Sequence, residues 1–468
     1  MESESSYDEV PHDIENPNTS LLTSMRSMLY NLSPLSSSCC ICRVPKRLRR
    51  VSEMAYTPQV VSIGPLHHGK EGLKPMEEHK NRYLHDFLVR TNLSMEHYIN
   101  KIRAREAELR GCYAETIQFN SDEFVRIVLV DAAFIIEVLL RYHFHELQDE
   151  NDRIFKKPRM FEDVWPDMRM LENQLPFFIL KDLFDPERIQ IPYKEEKLSI
   201  INLSYTFFRA LMNIEDLEDT LETISSSTID HFVDFVRKLY PPPPPKEAQA
   251  RVHSKPPIGA SMRQLSIPEV PQARGHTETP TPPSMTELYK AGVKFKVGSG
   301  KNMFDIRFKD GTLQIPKITF SDQSEVNLTN LLVFEQSQCK ETENYINDYI
   351  GILNILVNTP EDVTLLVKNA ILVNKLGDSK KGCTMIKNMG DGVNIVDYSK
   401  FHFAPLCEKL NEHCTKSRHK WQAILRQNYF NTPCKTISVI AAACIIIFTL
   451  IQTVCSVISV IHDDHSRR

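Results

Sequence analysis

Apolar and polar positions along this chain follow two periods, and each change of period marks a new part of it. Helical spacing comes first. Tyr83, Leu84, Phe87 and Leu88 recur at three and four residues, as do Met95, Tyr98, Ile99 and Ile102, which predicts two amphipathic helices. From Ser121, SDEFVRIVLVDAAFIIEVLLR is apolar almost all round, with Ser121 as N-cap and acids in the first turn, so it is predicted to be central. In DVWPDMRMLENQLPFFILKDLF, Trp165, Met168, Leu171, Leu175 and Phe178 form one stripe. A helix there must kink or divide at Pro176, leaving Glu172, Asn173 and Gln174 to bond the neighbours that the kink frees. Leu203, Phe207 and Leu211, then Ile229, Phe232, Val233 and Val236, continue the helical pattern.

The period drops to two in FDIRFKDGTLQIPKITF, where Asp310-Gly311 signals an antiparallel hairpin. Phe304, Ile306 and Phe308 would share one face, with Leu313 and Ile315 across the turn. Helices return in NLLVFEQ, ENYINDYIGILNILV and PEDVTLLVKNAILVNKLG, the last opened by Thr359-Pro360 and closed by Gly377. HKWQAILRQNYF puts Trp421, Ile424, Leu425 and Tyr429 into an interfacial helix. Ile437 to Ile461 then runs without a charge. At about 1.5 Å per residue it is long enough to cross a hydrocarbon core of about 30 Å.

The expected fold is therefore mainly α: a helical head with a small antiparallel β-hairpin element, plus one C-terminal transmembrane helix. Its parts are a disordered leader (1–38), a first helical head part (39–240), a Pro-rich linker or loop (241–284), a second head part of hairpin and helices (285–431), the span (436–461) and a short tail (462–468). The linker begins with Pro241 to Pro245, from which no core can be built, and reads as an extended spacer. Lys416, Arg418, Lys420, Arg426 and Lys435 precede the span, and only Arg467 and Arg468 follow it, which predicts a single-pass, tail-anchored protein with a cytosolic head, at the plasma membrane. Within the span, Ser438, Ala442 and Gln452 are candidates for helix pairing and so for a homodimer.

A chain of 468 residues, 41% hydrophobic and 25% charged, has material for a substantial core. Its net charge of −4 gives no general pull on nucleic acid, and none is expected as a partner. Eleven cysteines without regular spacing suit reduced thiols. Cys39, Cys40 and Cys42 precede Arg43, Lys46, Arg47, Arg49 and Arg50, an arrangement open to palmitoylation beside an anionic leaflet. The competing reading, which the pattern favours, is an ordered edge where Ile41, Val44 and Leu48 pack and the charges stay solvated.

Catalytic signatures are sparse. His67, His68, His79 and His85 lack metal-ligand spacing and read as solvated or capping residues. Asp131 and Glu137 are separated by about 240° on a helix, so they read as buried partners for Arg126, Arg141 or backbone rather than as an acid–base pair. GSGK at Gly298 to Lys301 has Phe295 and Asn302 where a phosphate loop needs Gly and a hydroxyl. No cofactor, metal set or catalytic residue is expected.

YTPQVVSIGPLHHG at Tyr56 to Gly69, MEEHKNRYL, FIIEVLLR, LENQLPFF, AGVKFK, IRFKDGTLQIP, FEQ and WQAILRQNYF together resemble the plant family called domain of unknown function 247, from about Ile41 to Ile458. Ala132 departs from a Gly often found after the Asp, and Cys434 from a Trp that commonly follows the Pro. The resemblance implies a plant membrane-anchored protein with no established activity or catalytic residues, some relatives being associated with pollen self-recognition and others with defence. The expected function is noncatalytic recognition, signalling or scaffolding through an unidentified protein partner. The alternative is a membrane-bound enzyme with a pocket between the two head parts.

Overall fold

The Ser121–His143 helix forms the axis of the head, because every residue from Ile127 to Arg141 is buried. Asn120 rather than Ser121 caps it: the Asn120 side chain accepts from the Glu123 amide, and Glu123 reaches back to the Asn120 amide. The helices Lys74–Thr91, Met95–Ala104, Phe177–Leu183 and Ile200–Leu211 pack around it. The structure is a computed structural model. It describes residues 18–30, 38–49, 52–157, 159–191, 198–212, 214, 220–243, 282–300, 302–340, 343–395, 397–416 and 433–466.

The helix expected to kink or divide at Pro176 does divide there, but the break is wider than a kink and takes in the LENQ residues. A helix ends at Asp167, turns occupy Met168 to Gln174, and a second helix begins at Phe177 with Pro176 as its N-cap. Proline disfavours helical backbone in the residue before it, and Asn and Gln side chains offer the local carbonyls other donors.

Asp310 at φ 49° and Gly311 at φ 69° make the tight turn that joins β2 (Arg307–Lys309) to β3 (Thr312–Ile315), antiparallel with Phe308 opposite Leu313. The expected hairpin is therefore present, but it is part of a larger sheet. A strand β1 (Lys294–Val297) pairs parallel to β3, giving the order β1-β3-β2. A further parallel pair joins β4 (Ile318–Phe320) to β5 (Leu372–Asn374).

Strand β5 lies inside a stretch expected to be helical up to Gly377. Thr359 does open the Pro360–Lys368 helix, in a capping box with Asp362. The helix stops early because Ala370 turns to φ 57°, its amide bonds the Val367 carbonyl and the Ile371 amide bonds the Leu366 carbonyl. That is a Schellman closure with alanine where glycine is usual.

One apolar core runs from Cys40 to Leu410 and includes residues from both sides of the Pro-rich stretch. Across it, Asn330 on the Asp322–Gln338 helix accepts from the Leu171 amide at 2.8 Å and donates to the Ala55 carbonyl at 2.7 Å. The two head parts are thus joined directly as well as through the linker, whose residues 244–281 lie outside the described residues. So does the whole of the proposed interfacial helix, within 417–432. The leader differs from the disorder expected of it: Asn18–Tyr30 is helical, although none of its residues is buried.

The C-terminal stretch forms a helix from Pro433 to Ser466. Among the described residues, no single helix is long and apolar enough to cross a membrane, the apolar part found there being Ile440–Ser456.

Left-handed backbone costs a residue with a Cβ roughly 1–2 kcal/mol, partly offset by the greater freedom of glycine when unfolded. Ala370→Gly is therefore expected to stabilise the head by about 0.5 kcal/mol, read as a higher midpoint in urea unfolding. The same change at Lys368, inside the helix, is expected to lower it.

Candidate functional site

Buried backbone outside helices and sheets must still find hydrogen-bond partners, and this requirement builds the most polar region of the core. Tyr56 to Gly69 runs through the head without regular pairing, with Val61, Ser62 and Ile63 almost wholly buried. Side chains supply what a ladder would. Asp167 accepts from the amides of Gln59, Val60 and Val61 at 3.0, 2.7 and 2.9 Å. Asn173 accepts from the Ile63 amide at 2.7 Å and donates to the carbonyls of Val61 and Asp167. Asp131 accepts from the Gly64 amide at 2.8 Å, and Lys80 donates to the Ser62 carbonyl at 2.9 Å. Gly64 is required there: its φ is +72°, and a Cβ would lie 2.5 Å from the Gln174 carbonyl.

Gln174 holds the turn itself, donating to the carbonyls of Met168 and Met170 and accepting from the Phe232 amide at 2.9 Å. Glu172 faces the first packed segment. It accepts from the Val44 amide at 2.7 Å and from Arg49, lies 3.4 Å from Arg43, and meets His67 Nε2 at 3.2 Å. The expectation that LENQ bonds freed carbonyls thus holds for Asn173 and Gln174. Glu172 is a carboxylate and can only accept.

Electrostatics divide these carboxylates. Burial pushes Asp131 up to about 6 against the pull of Lys80, and Asp167 up to about 6 against three backbone amides. Burial opposes the charge on Glu172 too, but His67, the Val44 amide and Arg49 outweigh it and hold Glu172 below its ordinary value. Burial lowers His67. On the far side of the core, burial raises Glu335 to about 7, although Arg237 lies at 3.0 Å and the amides of Ile346 and Asn347 donate to it.

Asp131 and Glu137 are buried partners, as expected, Glu137 with Arg141 and Asp131 with the Gly64 backbone amide, and each also takes a cation outside the expected set. Asp131 pairs with Lys80 at 2.5 Å, and Glu137 with Arg90 at 2.8 Å as well as Arg141 at 3.2 Å. Lys80 and Arg90 were missed, although Lys80 lies on the Met76–Tyr83–Phe87 stripe, where a charge needs a buried partner. His67 is also corrected: it is buried against Glu172, whereas His68 and His79 are half-buried and His85 is exposed. Among the described residues, no three His, Cys, Asp or Glu gather to hold a metal.

Of the candidate lipidation sites, Cys39 and Cys42 are half-buried and Cys40 is buried, while Ile41, Val44 and Leu48 pack into the core. The charges beside them are not all solvated, since Arg49 engages Glu172. Ala442 and Gln452 are exposed on the last helix, and the Ser438 side chain lies outside the described residues. In GSGK, the Gly298 amide continues the sheet by donating to the Ile315 carbonyl at 2.8 Å. Between the two head parts, a crevice bordered by Leu48, Tyr56, Glu325 and Thr329 has about 10 Å³ of free space, about one water's worth.

Residues 41–448 match DUF247, described as plant protein of unknown function, and the chain belongs to that family. It is 26% identical to UPF0481 protein At3g47200 of Arabidopsis thaliana, over 91% of this chain and 88% of the relative. It is 25% identical to Putative UPF0481 protein At3g02645 of the same plant, over 76% of this chain and 78% of the relative. No solved structure matches the chain significantly.

Two measurements follow from this lattice. Glu172→Ala strips the acceptor from Arg49, the Val44 amide and His67 at once and is expected to cost about 3–5 kcal/mol in denaturant unfolding. The second concerns pH. Asp131 and Asp167 bind their protons more tightly folded than unfolded. Their contribution is therefore largest below about pH 4 and is lost as the pH rises through about 6. Asp167→Asn is expected to flatten the dependence of the unfolding midpoint on pH between those limits.

Proposed function

We propose that this is a membrane-tethered, noncatalytic recognition or scaffolding protein, whose rigid helical head engages another protein and whose last helix is the anchor. The observation that carries the reading is the surface of that helix: Ile437, Ile440, Ile445, Ile446, Ile447, Phe448, Leu450, Ile451 and Val454 are all exposed. Apolar surface that extends around a helix needs cover, and a bilayer supplies it. In the head, the buried carboxylates Asp131, Glu137, Asp167 and Glu335 are engaged with backbone or with cations, which supports an architectural use for them. The basic residues before the anchor support a cytosolic head, at the plasma membrane, and Ala442 and Gln452 support pairing of two anchors.

The full chain expressed in plant cells is expected to stay in the membrane pellet after alkaline carbonate, and deletion of 433–468 to release it. On sealed vesicles, the head should be digested by protease and show no mobility shift on deglycosylation, despite sequons at Asn92, Asn202 and Asn327. Release of the full chain by carbonate would remove the anchor. A glycosylated, protected head would reverse the orientation and make an extracellular ligand the object of recognition.

A further inference from the structure

We propose that Cys40 and Cys112 are a redox pair that closes to a disulfide, fastening the first packed stretch of the chain to the end of the Glu106–Gly111 helix. The backbone already sets the two residues side by side. The amides of Cys40 and Ile41 both donate to the Cys112 carbonyl, at 3.0 and 2.9 Å, and the Ala114 amide donates to the Ile41 carbonyl at 2.9 Å. Ile41 and Tyr113 form a parallel bridge, with Cys40 and Cys112 one step before it. Neighbours across such a bridge lie about 5 Å apart, within the span of a disulfide. The Cys112 thiol donates to the Glu108 carbonyl at 3.3 Å, and the two sulfurs are close enough for each to shift the other's ionisation. His231 Nε2 contacts the Cys40 carbonyl at 3.1 Å from the other side, which holds Cys40 in place.

The two sulfurs are not equivalent. The neighbouring Cys40 thiol lowers Cys112 against burial and the charges of Glu108 and Asp230, with Arg105 helping, while Cys112 and burial raise Cys40. Cys112 is accordingly the attacking thiolate and Cys40 the resolving thiol. With hydrogen peroxide, the Cys112 sulfur forms a bond to one oxygen, the O–O bond breaks, and the departing hydroxide takes up the proton that Cys112 gave up, leaving as water. The Cys40 sulfur then displaces the oxygen from the Cys112 sulfenic acid: the S–S bond forms, the S–O bond breaks, and the Cys40 proton leaves with the hydroxide as a second water. Two thiols are oxidised by two electrons and one peroxide is reduced. Both residues are only 6% and 3% exposed, so closure waits on local opening, and the half-buried Cys39 marks the side from which oxidant arrives. This role also takes Cys40 out of the candidate lipidation set.

The test uses the full chain, reduced, in detergent, treated with hydrogen peroxide and then unfolded in N-ethylmaleimide before digestion and mass spectrometry. A peptide linking Cys40 to Cys112 is expected, with a rise of roughly 5 °C in the melting temperature that dithiothreitol reverses. A Cys39→Ser, Cys42→Ser double variant leaves Cys40 as the only thiol in its tryptic peptide and should give the same linked product. In the unaltered chain, fragmentation of that peptide makes the same assignment. Recovery of both residues alkylated after oxidation would overturn the proposal, and so would a linkage from Cys112 to Cys39 or Cys42.

Discussion

The structure depends on one requirement: the backbone from Val61 to Gly64 is buried without a ladder or a helix, so its amides there, with those of Gln59 and Val60 leading in, are met by side chains. Asp167, Asn173 and Asp131 meet them. An unmet buried amide costs about 1–3 kcal/mol, against a net folding stability of about 5–15 kcal/mol. The packing of the head on the Ser121–His143 helix therefore stands only while that group of side chains is intact.

The buried charges fit the same picture. A buried ion pair contributes little net stability once its desolvation is counted. Here the carboxylates do more than neutralise a cation. Asp131 holds the Gly64 amide as well as Lys80, and Glu335 holds the amides of Ile346 and Asn347 as well as Arg237. Arg141 is held by Glu137 and Asp152 and lies 3.9 Å from the centre of the Tyr83 ring. Each charge fixes where a loop or helix end must lie, so the clusters specify the arrangement more than they strengthen it.

What could be read in advance was whatever local period and turn chemistry decide. The Ser121–His143 helix, the helix through Tyr83 and Phe87, the hairpin at Asp310-Gly311 and the helix start at Thr359-Pro360 all rest on neighbours within a few residues. The features that escaped rest on distant partners. His67 looks solvated until Glu172, 105 residues away, is placed beside it. LENQ looks helical until its side chains are seen serving a loop 110 residues earlier. Strand β1 is set by a parallel partner and β5 by β4, and parallel pairing leaves no turn signal. The leader helix, Asn18–Tyr30, went unread because Ser- and Pro-rich flanks masked a short apolar stripe at Leu21, Leu22, Met25 and Leu29.

Asn330 sets an order of events during synthesis. It supplies the acceptor for the Leu171 amide and a donor to the Ala55 carbonyl, 159 and 275 residues earlier. A nascent chain that has passed the Pro-rich stretch has therefore made all of its first head part and still lacks the group that closes it. Until the Asp322–Gln338 helix emerges from the ribosome, those two backbone groups stay wet or unpaired and the apolar surface around them stays open. The first head part therefore cannot complete its buried hydrogen bonds until the chain through Asn330 has left the ribosome.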